Sequence, residues 1–361
     1  MTAFLFPHLR ITILSMQHEV THTVELLDPQ GRLVEAGWAR HPYWHYEREK
    51  IHASAWKIKE WDYYAIVNQK AGYCVTATMS DMGYCGMFAL SYIDYGSGQG
   101  SQDSAVVPFT FGKLALKPST TEDQEVSWAN KKMRFAFITR KGWRHLLFAC
   151  PSLVLPDGQV GLDCDIVLEQ PMGLESMNIA TSWKENRKAF YLNQKINCMA
   201  ASGTIRRGRT AETLEKGDAW GVLDWGRGRW TYQNRWFWGS ASGLVDGVRF
   251  GFNIGYGFSD RSPASENVVL YDGVIHKLDE VTFVIPKESY MKSWKFTSND
   301  HRFELDFEPC FDRSSNINAW IVKSIQNQVF GYFTGDVCLD DGRKVHLSGF
   351  PGFAEEVFNR W

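Results

Sequence analysis

Apolar and polar residues alternate along several short segments of the chain. Residues 302–308 read Arg-Phe-Glu-Leu-Asp-Phe-Glu, and residues 133–137 follow the same alternation. Because successive side chains of a β-strand point to opposite faces, one face of each segment is expected in a core and the other in water. Asp341-Gly342 between two apolar runs predicts a hairpin. The pattern predicts an all-β protein.

Helical signals are few along the chain. Residues 353–361 are expected to close the chain with a short helix, and residues 181–192 leave helix and strand both open. From Gly251 to Phe258 glycines alternate with large residues, which suits a strand that bends at a barrel corner. Many short strands with few helices favour β-sandwiches or β-barrels.

A polar stretch rich in arginine and glycine at residues 197–210 is the boundary that the pattern suggests. It divides the chain into one β unit over residues 16–200 and a second over residues 201–361. An N-terminal extension over residues 1–15 precedes them. The extension is expected to be a poor signal peptide, because Pro7, His8 and Arg10 interrupt its apolar run.

Composition narrows the possible function classes. The 361 residues include 39 Lys and Arg against 41 Asp and Glu, a formal net charge of −2, and 44% are hydrophobic. Such a chain folds rather than stays disordered, and it lacks the basic excess of a nucleic-acid-binding protein. The unusual count is 15 tryptophans, so their positions matter for the site.

The cysteines and the targeting signals indicate a cytoplasmic protein. Seven cysteines make an odd count without a Cys-x-x-Cys pair, which argues against a disulfide framework or a zinc ribbon. No glycosylation sequon occurs in the sequence. No apolar run approaches the length of about 18 residues that a membrane helix needs, so stable membrane insertion is not expected.

Two pairs of histidines invite interpretation as metal ligands. Residues 18–22 read His-Glu-Val-Thr-His and match the zinc-protease motif, whose chemistry needs both histidines on one helix face. Val20 and Thr21 favour a strand, on which the two imidazoles would lie about 13 Å apart, too far to share one zinc ion. His41 and His45 belong to what is expected to be an aromatic-rich loop. We predict an edge strand at residues 18–22 and no metal site.

The densest stretch of the sequence collects tryptophans, arginines and one aspartate. An RNA-binding interpretation would stack bases on the rings and pair phosphates with the arginines, but the net acidic charge opposes it. Structural stacking of Trp on Arg, with Asp224 as the arginine partner, and a ligand site remain equal alternatives. Arg227 and Arg229 share strand parity and are expected to face one side. The stretch contains Trp220, Asp224, Trp225, Arg227, Arg229, Trp230, Arg235, Trp236 and Trp238.

Four more polar residues lie close to apolar residues in the sequence and are candidates for the lining of a pocket: Asn253, Glu266, His276 and Gln328. Each signal is weak by itself, because a single polar residue in a barrel is more often a satisfied core or rim residue than a catalyst.

Several strings of the sequence carry a resemblance to a bacterial family. Residues 223–230 read Leu-Asp-Trp-Gly-Arg-Gly-Arg-Trp. Further matching strings are Gly-Trp-Ala-Arg at 37–40, Asn-Gln-Lys-Ile-Asn at 193–197 and Asn-Arg-Trp at 359–361. On these strings, which run from near residue 16 to the end, the chain is identified as a member of the family called domain of unknown function 2804.

That family is distantly similar to the double-lipocalin group, which includes carotenoid hydratases of the hydroxyneurosporene synthase type, tocopherol cyclases and lipocalin-like fungal cyclases of Diels–Alder steps. The resemblance implies two tandem antiparallel lipocalin-like β-barrels and a pocket for an apolar small molecule. In the hydratases a carboxylate in a Trp-rich segment protonates a double bond. Asp224 is the position that most resembles it, although Trp-Gly-Arg follows it here in place of the aromatic or histidine spacing of the hydratases.

The leading hypothesis is cofactor-free acid catalysis on a polyene, terpenoid or steroid-like molecule, leading to hydration, isomerisation or cyclisation. A carboxylic acid buried among tryptophans has its pKa raised by desolvation, and indole faces attract a developing carbocation. The predicted catalytic residues are Asp224 as the acid, Glu266 as a second carboxyl and Tyr232, which would orient substrate or water. The predicted ligand-binding residues are Trp225, Arg227, Arg229, Trp230, Asn234, Trp236, Trp238, Asn253, His276 and Gln328.

Two other functions use the same sequence features. A lipocalin-like carrier of an apolar ligand needs the pocket but no acid, whereas a carbohydrate-binding or carbohydrate-active β-protein would present tryptophans in an open groove. The partner of Asp224 distinguishes these cases, because a paired arginine would favour the carboxylate and give it a structural role.

Overall fold

The computed structural model describes residues 17–319 and 322–361, and the predicted extension over residues 1–15 lies outside the described residues. The regular structure of the described ranges consists of β-strands and two single-turn 3-10 helices, Arg48–Lys50 and Ala55–Lys57. The prediction of an all-β protein is confirmed. No helix in the described ranges is long and apolar enough to cross a membrane.

The strands, in chain order, are β1 Val24–Glu25, β2 Gly37–Ala39, β3 Trp44–His45, β4 Ile58–Asn68, β5 Tyr73–Asp81, β6 Cys85–Asp94, β7 Gln99–Pro108, β8 Gln124–Ala129, β9 Arg134–Arg140, β10 Trp143–Val154, β11 Val160–Glu169, β12 Met177–Ser182, β13 Phe190–Arg207, β14 Thr210–Arg229, β15 Gln233–Val245, β16 Val248–Tyr256, β17 Val268–Tyr271, β18 Val274–Lys277, β19 Val281–Val284, β20 Trp294–Ser298, β21 Phe303–Ala319, β22 Val322–Cys338 and β23 Lys344–Arg360.

Twelve strands form the larger of two antiparallel sheets. Its main path runs β7-β6-β5-β4-β14-β13-β11-β10-β9-β8, and β12 joins β13 to β2 beside it. Because β6 and β7 also contact β10, the sheet curls until strands far apart on the path meet, as in a barrel. Residues 181–192, which the sequence left open, contain the end of β12, a turn and the start of β13. β1 and β3 pair separately as a short parallel ribbon.

Nine strands form the smaller sheet, in the order β18-β17-β16-β15-β23-β22-β21-β20-β19. It curls as well, since β16 contacts β19, so the prediction of two barrel-like antiparallel units is confirmed. The alternating residues 303–307 fall in β21, and Asp341-Gly342 lie in the turn between β22 and β23. The predicted C-terminal helix is wrong, because β23 extends to Arg360 and pairs with both β15 and β22. Pairing on both sides overrides the local preference.

Each sheet packs around its own apolar core, and a third core fills the space between the two sheets. Trp294 is fully buried in the core of the smaller sheet. The core between the sheets draws on β4 of the larger sheet and on β15, β22 and β23 of the smaller one. Its members include Tyr63, Ala65, Val67, Trp238, Phe330 and Phe353.

The chain passes from the larger to the smaller sheet at residues 230–232, between β14 and β15. The polar stretch at residues 197–210, on which the predicted division at residue 200 depended, lies within the β13–β14 hairpin. A bulge bends β13 at Asn197, and Asn197 Nδ2 donates a hydrogen bond to Ser240 Oγ of the smaller sheet (2.8 Å). The start of the stretch therefore contacts the smaller sheet, and the change of sheet comes later in the chain than the predicted division.

Lys59 on β4 is a buried cation and makes stability depend on pH. It is 1% exposed and donates hydrogen bonds to the backbone carbonyls of Trp56 (2.8 Å) and Met82 (2.6 Å). Burial lowers the pKa of Lys59 to about 7. An unfolded chain keeps a lysine proton up to about pH 10. Above about pH 7 the unfolded state therefore binds more protons than the folded state, and stability rises with pH.

We expect Lys59→Met to remove part of this rise in urea denaturation between about pH 7 and about pH 8.5. The full contribution of one lysine is up to about 1.4 kcal/mol per pH unit. Part of the rise in the free energy of unfolding with pH should remain in this variant, because burial also lowers the pKa of Lys277 to about 7. Exposed Lys70 provides the matched control, Lys70→Met. If the free energy of unfolding of Lys59→Met rises with pH as steeply as that of the wild type, Lys59 is not a source of the pH dependence.

Candidate functional site

Asp224 lies on the face of the larger sheet that packs against the smaller sheet. In the strand register it stands opposite Lys195 of β13 and Tyr63 of β4. The next residue, Trp225, points to the other face, because side chains alternate along a strand. Strand pairing thus brings a carboxylate, an ammonium group and a phenol side by side between the sheets.

The smaller sheet presents a second polar row to this face. Trp238 of β15 stands opposite Glu355 of β23, which stands opposite Gln328 of β22. Trp238 Nε1 donates to Asn253 Oδ1 (2.6 Å). Asn253 Nδ2 in turn donates to the backbone carbonyl of Glu266 (2.8 Å), which fixes the segment that enters β17.

Lys195 joins the two rows. Its Nζ lies 2.8 Å from Asp224 Oδ2 and 3.9 Å from Glu266 Oε2, and 4.1 Å from the centre of the Trp238 ring. Asn193 Nδ2 donates a hydrogen bond to Asp224 Oδ1 (2.6 Å). Both oxygens of Asp224 therefore have a partner, and its charge is compensated by a lysine instead of an arginine.

Glu266 is a second carboxyl in contact with this ion pair. Burial raises the pKa of Glu266, the ammonium of Lys195 opposes the rise, and the charge of Asp224 adds to it. Oε2 accepts no hydrogen bond from the described residues. A Cβ at Gly255 would lie 2.8 Å from Oε1, so any larger residue at this position would clash with the carboxyl of Glu266. Glu266 is 7% exposed, which means that a water-sized molecule still reaches part of the side chain.

Glu355 is the third buried carboxyl of the site. It accepts hydrogen bonds from Trp236 Nε1 and from Gln328 Nε2, both at 2.9 Å, and Tyr63 Oη donates to Gln328 Oε1 (3.3 Å). Burial raises the pKa of Glu355, and the hydrogen bond from Trp236 opposes the rise. Lys195 thus contacts two of the three buried carboxyls, and it acts on the third, Glu355, at longer range together with Arg313.

An aromatic cluster borders these polar groups, and Trp230 lies at its centre. Its ring centroid lies 4.8 Å from that of Phe258, 5.6 Å from that of Tyr191 and 5.8 Å from that of Trp236. The cluster also includes Trp61, Trp183 and Trp361. Because Trp236 also donates a hydrogen bond to Glu355, this aromatic cluster directly borders the carboxyl groups and is called the aromatic wall below.

The structure brings seven of the predicted site residues together, namely Asp224, Trp230, Trp236, Trp238, Asn253, Glu266 and Gln328. Sequence analysis missed Tyr63, Asn193, Lys195 and Glu355. A signal for two of these was present, since Asn193 and Lys195 belong to the Asn-Gln-Lys-Ile-Asn string at 193–197 that carries the family resemblance. Glu355 has no such local signal, and only the pairing of β23 with β15 and β22 places it here.

On β14, the predicted ligand-binding residues Trp225, Arg227 and Arg229 lie on the face opposite to Asp224, toward the interior of the larger sheet. Arg227 is fully buried, with its guanidinium Nη2 2.9 Å from Asp62 Oδ1 and stacked 4.2 Å above the Trp225 ring. Arg229 donates to the backbone carbonyl of His52 (3.1 Å). None of the three contacts Asp224, so the predicted Asp224–arginine pair is absent from the described residues.

Three further predicted residues lie away from the buried polar groups. Tyr232 is 54% exposed at the turn between β14 and β15. Asn234 stabilises that turn, because its Nδ2 donates to the carbonyl of Thr231 (2.9 Å). Its Oδ1 also accepts a hydrogen bond from Trp183 Nε1 of the aromatic cluster (3.2 Å). His276 contacts Asp340 at the rim of the smaller sheet, with Nδ1 3.3 Å from the carboxylate.

The structure corrects two expectations for residues 18–22. They form neither a helix nor the predicted edge strand, but one isolated bridge between Glu19 and Trp38. His18 and His22 both contact the Glu35 carboxylate, so their imidazoles lie much closer together than on an extended strand. Among the described residues, one group has metal-ligand spacing, formed by Glu25, His45 and Glu47. The ammonium group of Lys50 lies 2.8 Å and 2.7 Å from its two glutamates, so a cation already neutralises them.

Three solved structures are similar to most of the chain. A candidate AttH from Nitrosomonas europaea has a TM-score of 0.48 at 12% identity, covering 83% of this chain and 92% of that one. Kievitone hydratase from Nectria haematococca has a TM-score of 0.46 at 10% identity, covering 83% and 88%. CghA has a TM-score of 0.48 at 11% identity, covering 84% and 88%.

No curated protein matches the chain. Residues 17–361 match a family described as a domain of unknown function, which confirms the resemblance seen in the sequence strings. The chain belongs to that family, DUF2804.

Proposed function

We propose that the protein binds a small organic molecule between its two sheets and catalyses acid-type chemistry on it, with Glu266 as the proton donor. The observation that carries this proposal is the Glu266 carboxyl. Burial raises its pKa, and its Oε2 has no hydrogen-bond partner among the described residues. A raised pKa brings a carboxyl closer to the neutral range in which a general acid works best.

Glu266 replaces Asp224 as the proposed acid for an electrostatic reason. Both carboxyl oxygens of Asp224 are already engaged, one by the ammonium of Lys195 and the other by the amide of Asn193, whereas Glu266 Oε2 has no hydrogen-bond partner among the described residues. Asp224 is therefore a positioning residue in this proposal, which keeps Lys195 in place and its charge close to Glu266.

Lys195 supports the loss of the proton from Glu266. When Glu266 transfers its proton to a double bond, it becomes a carboxylate 3.9 Å from the Lys195 ammonium, which stabilises the new charge. The substrate becomes a carbocation, and the faces of Trp230, Trp236 and Tyr191 can stabilise that positive charge. Attack by water on the cation, with return of one proton of that water to the Glu266 carboxylate, gives hydration. Loss of a different carbon-bound proton to the same carboxylate gives isomerisation, and either path restores the acid.

The test compares the small molecules that copurify with the wild-type protein and with Glu266→Gln. We expect Glu266→Gln to retain a substrate, identified by solvent extraction and mass spectrometry, and the wild type to carry its hydrated or isomerised product. Glutamine keeps the shape of the side chain but has no acidic proton. If both proteins carry the same molecule unchanged, the chain is a carrier and the proposed catalysis is wrong.

A further inference from the structure

A cavity of about 170 Å³ opens on the other side of β14, at the interior face of the larger sheet. Leu192 and Gln194 of β13 and Trp225 of β14 line it, together with residues 42–46 and 118–122. We propose that this cavity binds a neutral, polyhydroxylated molecule of the size of a monosaccharide.

The cavity is separate from the site of the proposed acid chemistry. Trp225 lines the cavity, whereas Asp224, one residue earlier, faces Lys195 between the sheets. Asn193 is the residue common to both regions, since it borders the cavity and donates to Asp224. The proposal uses no property of Glu266, so it stands or falls independently of the proposed catalysis.

Aromatic side chains make up the first part of the recognition surface. Tyr43, Trp44, Tyr46 and Trp225 line the cavity, and Tyr46 meets Trp225 edge to face with 6.2 Å between ring centroids. Flat rings of this kind offer apolar contact area while their polar tips bind hydrogen-bonding groups. The C–H face of a sugar ring is a matching flat apolar surface.

Neutral hydrogen-bonding groups make up the second part. Thr23, Ser119 and Thr121 contribute hydroxyls. The amides of Asn178 and Gln194 also border the cavity, but both already donate hydrogen bonds to Ser176 (2.9 Å to its carbonyl and 2.8 Å to its Oγ). The hydroxyls are therefore the groups that a ligand can reach. A hydroxyl donates one hydrogen bond and accepts two, so Ser119 Oγ keeps bonding capacity beyond its contact with the Thr121 hydroxyl (3.1 Å). Groups that both donate and accept are complementary to the hydroxyl groups of a polyol.

Charge and size exclude two other ligand classes, anions and long apolar chains. The lining also includes the exposed carboxylate of Glu122, which can accept hydrogen bonds from the hydroxyls of a polyol. The described residues that line the cavity include no lysine or arginine, so an anion would lack a countercharge. His45 is already engaged, with Nδ1 3.1 Å from Glu25 and 3.3 Å from Glu47. The volume is below the range of about 300 to 1,000 Å³ that drug-sized ligands occupy, so a long apolar chain does not fit.

The test uses saturation-transfer NMR and titration calorimetry with D-glucose, D-galactose and myo-inositol. Adenosine and palmitate serve as representatives of other ligand classes. We expect at least one of the three polyols to bind, and Tyr43→Ala to weaken that binding at least tenfold. Tyr232→Ala, which removes an exposed tyrosine outside the cavity, is the matched control and leaves the affinity unchanged.

Two further variants control for a folding defect in Tyr43→Ala and for an effect of the proposed acid site on polyol binding. Thr121→Val removes an exposed hydroxyl without truncating a ring, so it reports on the same cavity if Tyr43→Ala fails to fold. Glu266→Gln is expected to bind the polyol like the wild type. The proposal is overturned if none of the three polyols binds, if the Tyr43 and Thr121 variants bind them as tightly as the wild type, or if adenosine or palmitate alone occupies the cavity.

Discussion

Lys195→Met is expected to destabilise the protein by about 3 to 5 kcal/mol near neutral pH, the range found when one partner of a buried ion pair is removed. Lys195 is the ammonium group that lies among Asp224, Glu266 and Glu355. Methionine has a similar length and no charge, so the substitution removes the compensation without opening a large cavity. Urea denaturation at about pH 7 measures the loss.

The pH dependence of this loss has a defined sign. Burial already raises the pKa of Glu266 and of Glu355, and loss of the lysine raises both further. A carboxyl whose folded pKa exceeds its unfolded value favours the folded state at low pH, and this advantage disappears as the pH rises through the folded pKa. We therefore expect the deficit of Lys195→Met to be smaller at about pH 5 than at about pH 7.

Lys216→Met is the matched control for this prediction. Lys216 Nζ also forms an ion pair, 2.7 Å from Glu169 Oε2, but its side chain is 64% exposed. A pair of that kind contributes about 0 to 1 kcal/mol. Equal losses in the two variants, or a Lys195→Met deficit that grows on acidification, would show that Lys195 does not neutralise the buried carboxyls.

Alternation of residue types along the chain was enough to predict some of the strands, such as β9 and β21. The period of two at residues 302–308 places Phe303, Leu305 and Phe307 in one core, because the pattern and the pleat have the same period. The end of β23 could not be predicted in this way. Its conformation depends on β15 and β22, which pair with it across long sequence separations.

The residues of the candidate site could also be predicted only as far as local alternation allows, because strand pairing decides the rest. Strand parity by itself separates Asp224 from Arg227, since residues three apart on a strand face opposite sides, and the structure has them on opposite faces. Parity cannot identify the residue that faces Asp224 from a neighbouring strand. The partner, Lys195, follows from the β13–β14 register, which is a property of the whole hairpin and its bulge. The proposed role of Asp224 therefore changed once its partner was known, whereas its place in the site did not.

Glu266→Gln is expected to lower proton transfer to carbon by a factor of about 10² to 10⁴, the usual contribution of a general acid. A small-molecule extract from cells, incubated with the wild type in D2O, should yield a product with deuterium bound to carbon. The deuteron comes from the exchanged Glu266 carboxyl, and the resulting C–D bond survives transfer into H2O. Mass spectrometry after that transfer measures the incorporation.

Glu212→Gln provides a matched control for this measurement. Glu212 is a partly buried carboxylate near the other end of β14, where it accepts a hydrogen bond from Tyr73 Oη (2.8 Å), and it lies outside the proposed site. We expect Glu212→Gln to incorporate deuterium like the wild type. Full incorporation by Glu266→Gln would transfer the role of the acid to another group. Glu355 would be the next carboxyl to replace, because burial raises its pKa as well and its partner Trp236 belongs to the same aromatic wall.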